Sequence, residues 1–386
     1  YFRSRAGLRF IWHMVLSWHL PLELCSGEPD KSVVCSHSWC TERSPQTWPS
    51  TSELPLPVWP VEDLKAISGS DLKDSMDEVA KRMKSWPFGD FAQVRRIEDA
   101  LGNHGIVNLM RSGGNNVAVK QIPNKWMSIG PEEFDVRYPD SPERPWLDLG
   151  LTRLLTLRGF PYACPLLGTY CDENHTYAVS GFAKCGDLLA WCLHAPRPGP
   201  LREVMARPIA VQVMVAVRWL HELGIAHRDL SPENVLLTQV DGDEMRIQLI
   251  DFGMATASHT CCCEVRGKRA YQAPEMHTNR PYNAFQADHF QLGVTLFAMG
   301  VKEQPWTSTV PGNCNQFARF VAEKRLPRSG RHCTEDLLEV CDGLLRPNPQ
   351  ERLTLGETQF GQQHSIWAKP WFIEAGVVLE ETWQWP

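Results

Sequence analysis

Between Phe88 and Ala183 short apolar runs alternate with turns, and one helical stretch interrupts them. "VNLMRSGGNNVAVKQI" predicts a hairpin, two period-two strands around a Gly-Gly-Asn-Asn turn. "PWLDLGLTRLLTLRG" predicts a helix, because Leu147, Leu151, Leu154 and Leu155 fall on one face. "TYAVSGF" is a further strand. After Gly186 the period becomes helical, with a long segment from Val204 to Leu223 in which Pro208 is a candidate start. "NVLLTQVDGDEMRIQLID" predicts a second hairpin turning at Asp-Gly. Upstream, residues 61–85 carry helical spacing at Met76, Val79 and Met83, whereas 21–60 are rich in Pro, Ser and Thr.

This texture divides the chain into an extension over 1–85, largely disordered with a short helix, and a sheet-rich small half over 86–183. A helix-rich large half over 184–375 and a tail over 376–386 follow. A sheet-rich unit next to a helical one predicts an α+β protein of two lobes with a cleft between them.

Composition narrows the function. Lys and Arg number 39 against 45 Asp and Glu, for a formal charge of −6, and no basic face emerges, so nucleic acid is not an expected partner. Thirteen cysteines, odd in number and without CxxC pairs, argue against a disulfide framework or a zinc module and for a reducing, cytoplasmic setting. Cys261, Cys262 and Cys263 read as loop thiols. The apolar run Leu8–Leu20 is too short and too interrupted to cross a bilayer, although Arg3, Arg5 and Arg9 ahead of it also fit a signal peptide. No membrane association is expected. The first residue is Tyr rather than Met, as expected of a fragment.

Four short motifs follow one another at lobe-scale separations. "VAVK" ends at Lys120, "HRDLSPEN" spans 227–234, "DFG" spans 251–253 and "APE" spans 273–275. Each alone is weak, and their ordered co-occurrence is specific. With them the chain from about Val94 to Phe372 resembles the eukaryotic protein kinases, of the Ser/Thr, calcium/calmodulin-dependent type.

That resemblance implies a bilobal kinase fold, a small antiparallel sheet with one helix above a larger helical lobe. It also implies phosphoryl transfer from ATP to Ser or Thr hydroxyls of a protein substrate, with Mg²⁺. Asp251 and Asn234 would offer hard oxygen ligands to the ion. Lys120 would hold the α- and β-phosphates, and Asp229 would take the proton of the acceptor hydroxyl. Gly102 and Gly105 stand where phosphate-loop glycines belong, followed by Val107, while the first glycine position is Ala100. Ala118, Ser180, Gly181, Phe182 and Ala183 would surround adenine. Asp187 would reach the ribose or a basic substrate residue, or else cap a helix. With Glu233 it would favour a basic residue ahead of the target. Counting back from "FPY" puts the acid partner of Lys120 at Leu151, which cannot pair. Asp148, one turn earlier on that face, is the expected partner, and its shorter side chain demands a closer helix. Asp288 would brace the catalytic loop, and Glu275 would pair with Arg352. Arg228 would gather a phosphate carried by Thr256, Ser258 or Thr260.

One departure stands out. The family usually carries Lys two residues after the catalytic Asp and Thr after the glycine of the activation segment. Here those positions are Ser231 and Lys268. A reciprocal exchange is expected, with Lys268 supplying the cation and Ser231 the hydroxyl to Asp229. The alternative is a pseudokinase that binds nucleotide or partners without transfer, a reading to which Ala100, Leu151 and Ser231 all point.

Overall fold

The computed structural model describes residues 65–100, 105–239, 245–361 and 364–373. Residues 1–64, Gly102, the Asp-Gly turn of the second hairpin and the tail over 376–386 therefore lie outside the described residues.

The first element is a helix, α1 (Gly69–Lys81). Ser68 starts it with a reciprocal capping box. Its hydroxyl accepts from the Asp71 amide, and the Asp71 carboxylate accepts from the Ser68 amide. Strands β1 (Lys84–Ser85), β2 (Ala92–Ala100), β3 (Gly105–Ser112) and β4 (Asn115–Pro123) follow. Gly113 and Gly114 turn β3 into β4 with φ of 54° and 83°, two left-handed residues in a two-residue hairpin. Three helices come next: α2 (Asn124–Met127), α3 (Pro131–Arg137) and α4 (Pro145–Leu157). Strands β5 (Leu166–Cys171) and β6 (His175–Gly181) complete a six-stranded sheet of order β1-β5-β6-β4-β3-β2. Its strands are antiparallel except that β1 adds to the edge parallel to β5. The small lobe thus carries the expected helix, α4, and three more.

Below the sheet lie α5 (Leu188–His194) and α6 (Pro200–Glu222), the hairpin β7 (Val235–Gln239) with β8 (Met245–Leu249), and the short pair β9 (Thr260–Cys261) with β10 (Tyr282–Asn283). Helices α7 (Ala284–Val301), α8 (Asn315–Glu323), α9 (Glu335–Leu344) and α10 (Pro370–Ile373) finish the large lobe. Every residue of α7 is buried, so it is the lobe's axis rather than an amphipathic surface helix. Helix α6 begins at Pro200 and runs through Pro208, which corrects the start expected at Pro208. The reason is tertiary. Arg202 donates to the carbonyls of Met299, Pro196 and Cys192, and Glu203 accepts from Thr334 and Trp371. These buried contacts hold the first two turns despite the amide that Pro208 lacks. Among the described residues no helix is long and apolar enough to cross a membrane.

The segment ahead of the sheet is packed into this frame. Ile67 is buried in the large-lobe core, and its amide donates to the Leu223 carbonyl at 2.7 Å. Helix α1 then lies along α4, with the Ser75 hydroxyl donating to the Gly150 carbonyl at 2.8 Å.

Candidate active site

The crevice between the lobes gathers its residues from four elements. Lys120 stands on β4, opposite Val107 of β3 in register. Its ammonium lies 3.2 Å from Asp148 Oδ2 on α4. Leu151, the other position considered for the acid, is wholly buried in the core. Burial opposes the charge on Lys120, but Asp148, Asp251 and Glu143 together lift its pKa above the ordinary lysine value. Asp148 also reaches the second motif, because its Oδ1 accepts from the Phe252 amide at 2.9 Å. One short carboxylate thus ties the strand lysine to the Asp-Phe-Gly turn.

Asp251 itself has φ of 65°, a left-handed conformation that costs a non-glycine residue about 1–3 kcal/mol and persists only where surroundings enforce it. The Asp148 bond on one side enforces it, and on the other the Ile250 amide donates to the Asn234 carbonyl at 3.1 Å.

Asp229 sits at the base. Burial pushes its carboxyl up, Asp251 adds to this, and Lys268 opposes it. The Asn234 side-chain amide donates to the Asp229 carbonyl and to Oδ2 at 2.7 and 2.9 Å. That orientation leaves the Asn234 side-chain oxygen for a cation. Asp229 Oδ1 is buried without a hydrogen-bond partner, a costly state for a carboxylate oxygen. Two carboxylates, one amide oxygen and an unsatisfied buried oxygen fit a hard divalent ion.

The loop carrying Asp229 is held from beneath. Asp288 on α7 accepts from the amides of His227 and Arg228 at 2.7 and 2.8 Å. It also takes His221 Nε2 at 3.0 Å, while His221 Nδ1 lies 2.6 Å from Glu357 Oε1. His289 Nε2 meets the same Glu357 oxygen at 2.7 Å. Both nitrogens of His221 therefore face carboxylates. Burial works against its charge, yet Asp288 and Glu357 raise it to about 9. Burial likewise disfavours the Glu357 anion, but the two imidazoles depress its pKa well below the carboxylate range. The Glu275–Arg352 pair is bidentate at 2.7 and 3.0 Å.

Lys268 and Ser231 meet. The ammonium donates to the Ser231 hydroxyl at 2.6 Å and lies 3.3 Å from Glu233. Ser231 does not supply a hydroxyl to Asp229, which corrects half of the expected exchange. Its oxygen is turned to the lysine, and Asp229 Oδ1 stays unpartnered. Gly267 explains how the lysine comes so near. Its φ is 84°, and a Cβ there would stand 2.8 Å from the Arg228 carbonyl and 3.3 Å from Asp229 Oδ1.

The remaining positions line the crevice. Ala118 pairs with Ser180 across β4 and β6. The Ser180 hydroxyl donates to the Ala118 carbonyl at 3.4 Å. Gly105 opens β3 and is buried, Gly181 closes β6, and Phe182 and Ala183 follow it toward α5. Asp187 caps α5, its Oδ1 accepting from the Ala190 amide at 2.6 Å, and burial raises its carboxyl.

Arg228 has a partner that the sequence did not announce. Its guanidinium donates to Glu264 at 2.7 Å and to the carbonyls of Met254 and Ala255. Glu264 is three residues past the last hydroxyl considered, and only the fold brings it to Arg228.

Two lobes, a strand lysine paired with a helix acid, and a braced Asp-and-Asn loop beside an Asp-Phe-Gly turn define a protein kinase fold. The family model described as protein kinase domain matches residues 102–372, and the chain belongs to this family. It is 30% identical over 232 residues to CBL-interacting protein kinase 22 of Oryza sativa subsp. japonica, covering 58% of this chain and 48% of that one. It is 34% identical over 205 residues to CBL-interacting protein kinase 4 of the same organism, covering 50% and 42%. Over 158 residues it is 34% identical to the probable serine/threonine-protein kinase FMP48 of Saccharomyces cerevisiae (strain ATCC 204508 / S288c), covering 36% and 42%. The chain spans about half the length of the curated relatives it matches.

Proposed function

We propose that this chain transfers the terminal phosphoryl group of ATP to Ser or Thr hydroxyls of a protein substrate. The observation that carries the reading is the bond from Asp148 to both Lys120 and the Phe252 amide, which assembles the cation and Asp251 together. Lys120 neutralises phosphate charge as a fixed ammonium. Asp229 orients the acceptor hydroxyl and takes its proton, a task suited to a carboxylate whose burial raises its proton affinity. Asp251 and the Asn234 side-chain oxygen would hold a divalent ion, Mg²⁺ in our reading, which when bound screens the triphosphate charge. Lys268 stands in for the missing loop lysine, positioned by Ser231 and Glu233.

Glu264 supports a further part of the reading. Its carboxylate occupies the arginine that a phosphorylated Thr256, Ser258 or Thr260 would seek, so the activation segment is ordered without modification. Asp187 is spent on its helix cap and Glu233 on Lys268, which weakens the expected preference for basic residues beside the target.

The second reading is a pseudokinase, and the unpartnered Oδ1 of Asp229 together with Ser231 favours it. Transfer of radiolabel from ATP with Mg²⁺ to a generic Ser/Thr peptide separates the two, with Asp229→Asn as control. Label in the peptide that disappears in Asp229→Asn supports the enzyme. A nucleotide-induced rise in melting temperature with no label transferred supports the scaffold.

A further inference from the structure

Asp148 does the work usually given to a glutamate with one methylene less, so α4 has to lie closer to the crevice, and something has to keep it there. Residues two apart on a helix point about 200° away from each other. Gly150 therefore faces the back of α4 while Asp148 faces Lys120. The back is where α1 lies. A Cβ on Gly150 would stand 2.6 Å from Met76 Cγ, 3.1 Å from the Met76 amide and 3.2 Å from Met76 Cα. The two helices touch backbone to backbone there, and only glycine leaves the room. Beside that contact, the Ser75 hydroxyl donates to the Gly150 carbonyl at 2.8 Å, and Arg153 reaches Ser75 at 3.4 Å. Leu72 and Val79 bury the rest of the α1 face.

The other end of the segment is fastened to the large lobe. Ile67 is buried in its core with its amide on the Leu223 carbonyl, Ala66 lies 3.7 Å from where a Cβ of Gly224 would be, and Arg158 donates to the Lys65 carbonyl. Helix α4 is thus backed by a piece of chain anchored in the opposite lobe.

We propose that residues 65–81 form a strap that presses α4 toward the crevice, with Ile67, Ser75 and Met76 as positioning residues acting through Asp148. The segment precedes the matched kinase region, so the strap is a feature of this chain's own extension. It rests on the kinase reading for its consequence and on packing alone for its existence. Asp148 passes the pressure on in two directions, to Lys120 and to the Phe252 amide, so a slack strap loosens nucleotide binding first.

Gly150→Ala in the full chain tests this. The added methyl drives α1 and α4 apart. We expect the KM for ATP to rise roughly five-fold, with faster amide exchange over Pro145–Leu157 and at Phe252. Met76→Ala in the same chain removes the nearest atom and recovers most of both effects. Leu157→Ala, at an exposed position at the far end of α4, changes neither. A purely structural role would lower the melting temperature and leave KM and local exchange as they were, which overturns the proposal. So does a double variant that melts normally yet recovers nothing. Should the wild-type chain transfer no phosphate, the kinase reading fails by itself, and the exchange measurement still decides the strap.

Discussion

Lys120 and Asp148 meet in the small lobe with their side chains 22% and 13% exposed, whereas His221, Asp288 and Glu357 in the large lobe are closed off completely. The first is a single ion pair joining two elements that a strap has to hold together. The second is a network in which each nitrogen of His221 faces its own carboxylate and Asp288 fixes two loop amides besides. A partly open pair contributes little to stability and much to chemistry. A closed network has already met the desolvation cost of its charges, so losing one member strands the others. The two lobes therefore separate what assembles the site from what supports it.

The sharpest way to break that distinction is to remove a member of the closed network. Glu357→Ala leaves two imidazoles without their shared acceptor. Stability should fall by about 3–5 kcal/mol in urea unfolding, with phosphotransfer lost along with the fold. Lys120→Met is the counterpart in the open pair. Transfer should drop about 100- to 1000-fold, while stability changes by no more than about 1 kcal/mol. Equal losses of stability in the two variants would erase the contrast. Lys268→Ala comes next, with a loss of roughly ten-fold, about one charge-assisted hydrogen bond. Ser231→Lys with Lys268→Thr should restore part of it, and near-normal transfer by Lys268→Ala would remove the lysine from the mechanism.

Titration gives a smaller effect. His221 is raised in the fold, so its contribution to stability is complete below the ordinary imidazole value of 6.5 and is lost as pH climbs through about 9. Melting temperature should decline over that window, and Glu357→Gln, which removes one source of the upward shift, should flatten the decline. The smallest expected change is none. Phosphatase treatment should leave the transfer rate as it was, because Arg228 is already held by Glu264.

Much of this was legible in the chain. The Gly-Gly hairpin, the α4 face and the four ordered motifs are local patterns, each set by neighbours within a turn or a strand. Asp148 was found because a helix period places it one turn before Leu151. Other features were not legible because the contacts span long stretches of chain. Arg228 and Glu264 are separated by 36 residues, and His221 and Glu357 by 136. Nothing in the spacing of either pair marks it. Gly150 looked like a flaw in a leucine-rich helix until Met76 was found against it. Pro208 misled for the same reason, since the contacts of Arg202 and Glu203 that outweigh it come from distant residues.

The carboxylate of Glu264 is encoded, whereas a phosphate is added and taken away by other enzymes. A segment fastened this way has no resting state for a phosphatase to restore. Control over such a protein passes to how much of it is made, how fast it is destroyed and which targets it meets.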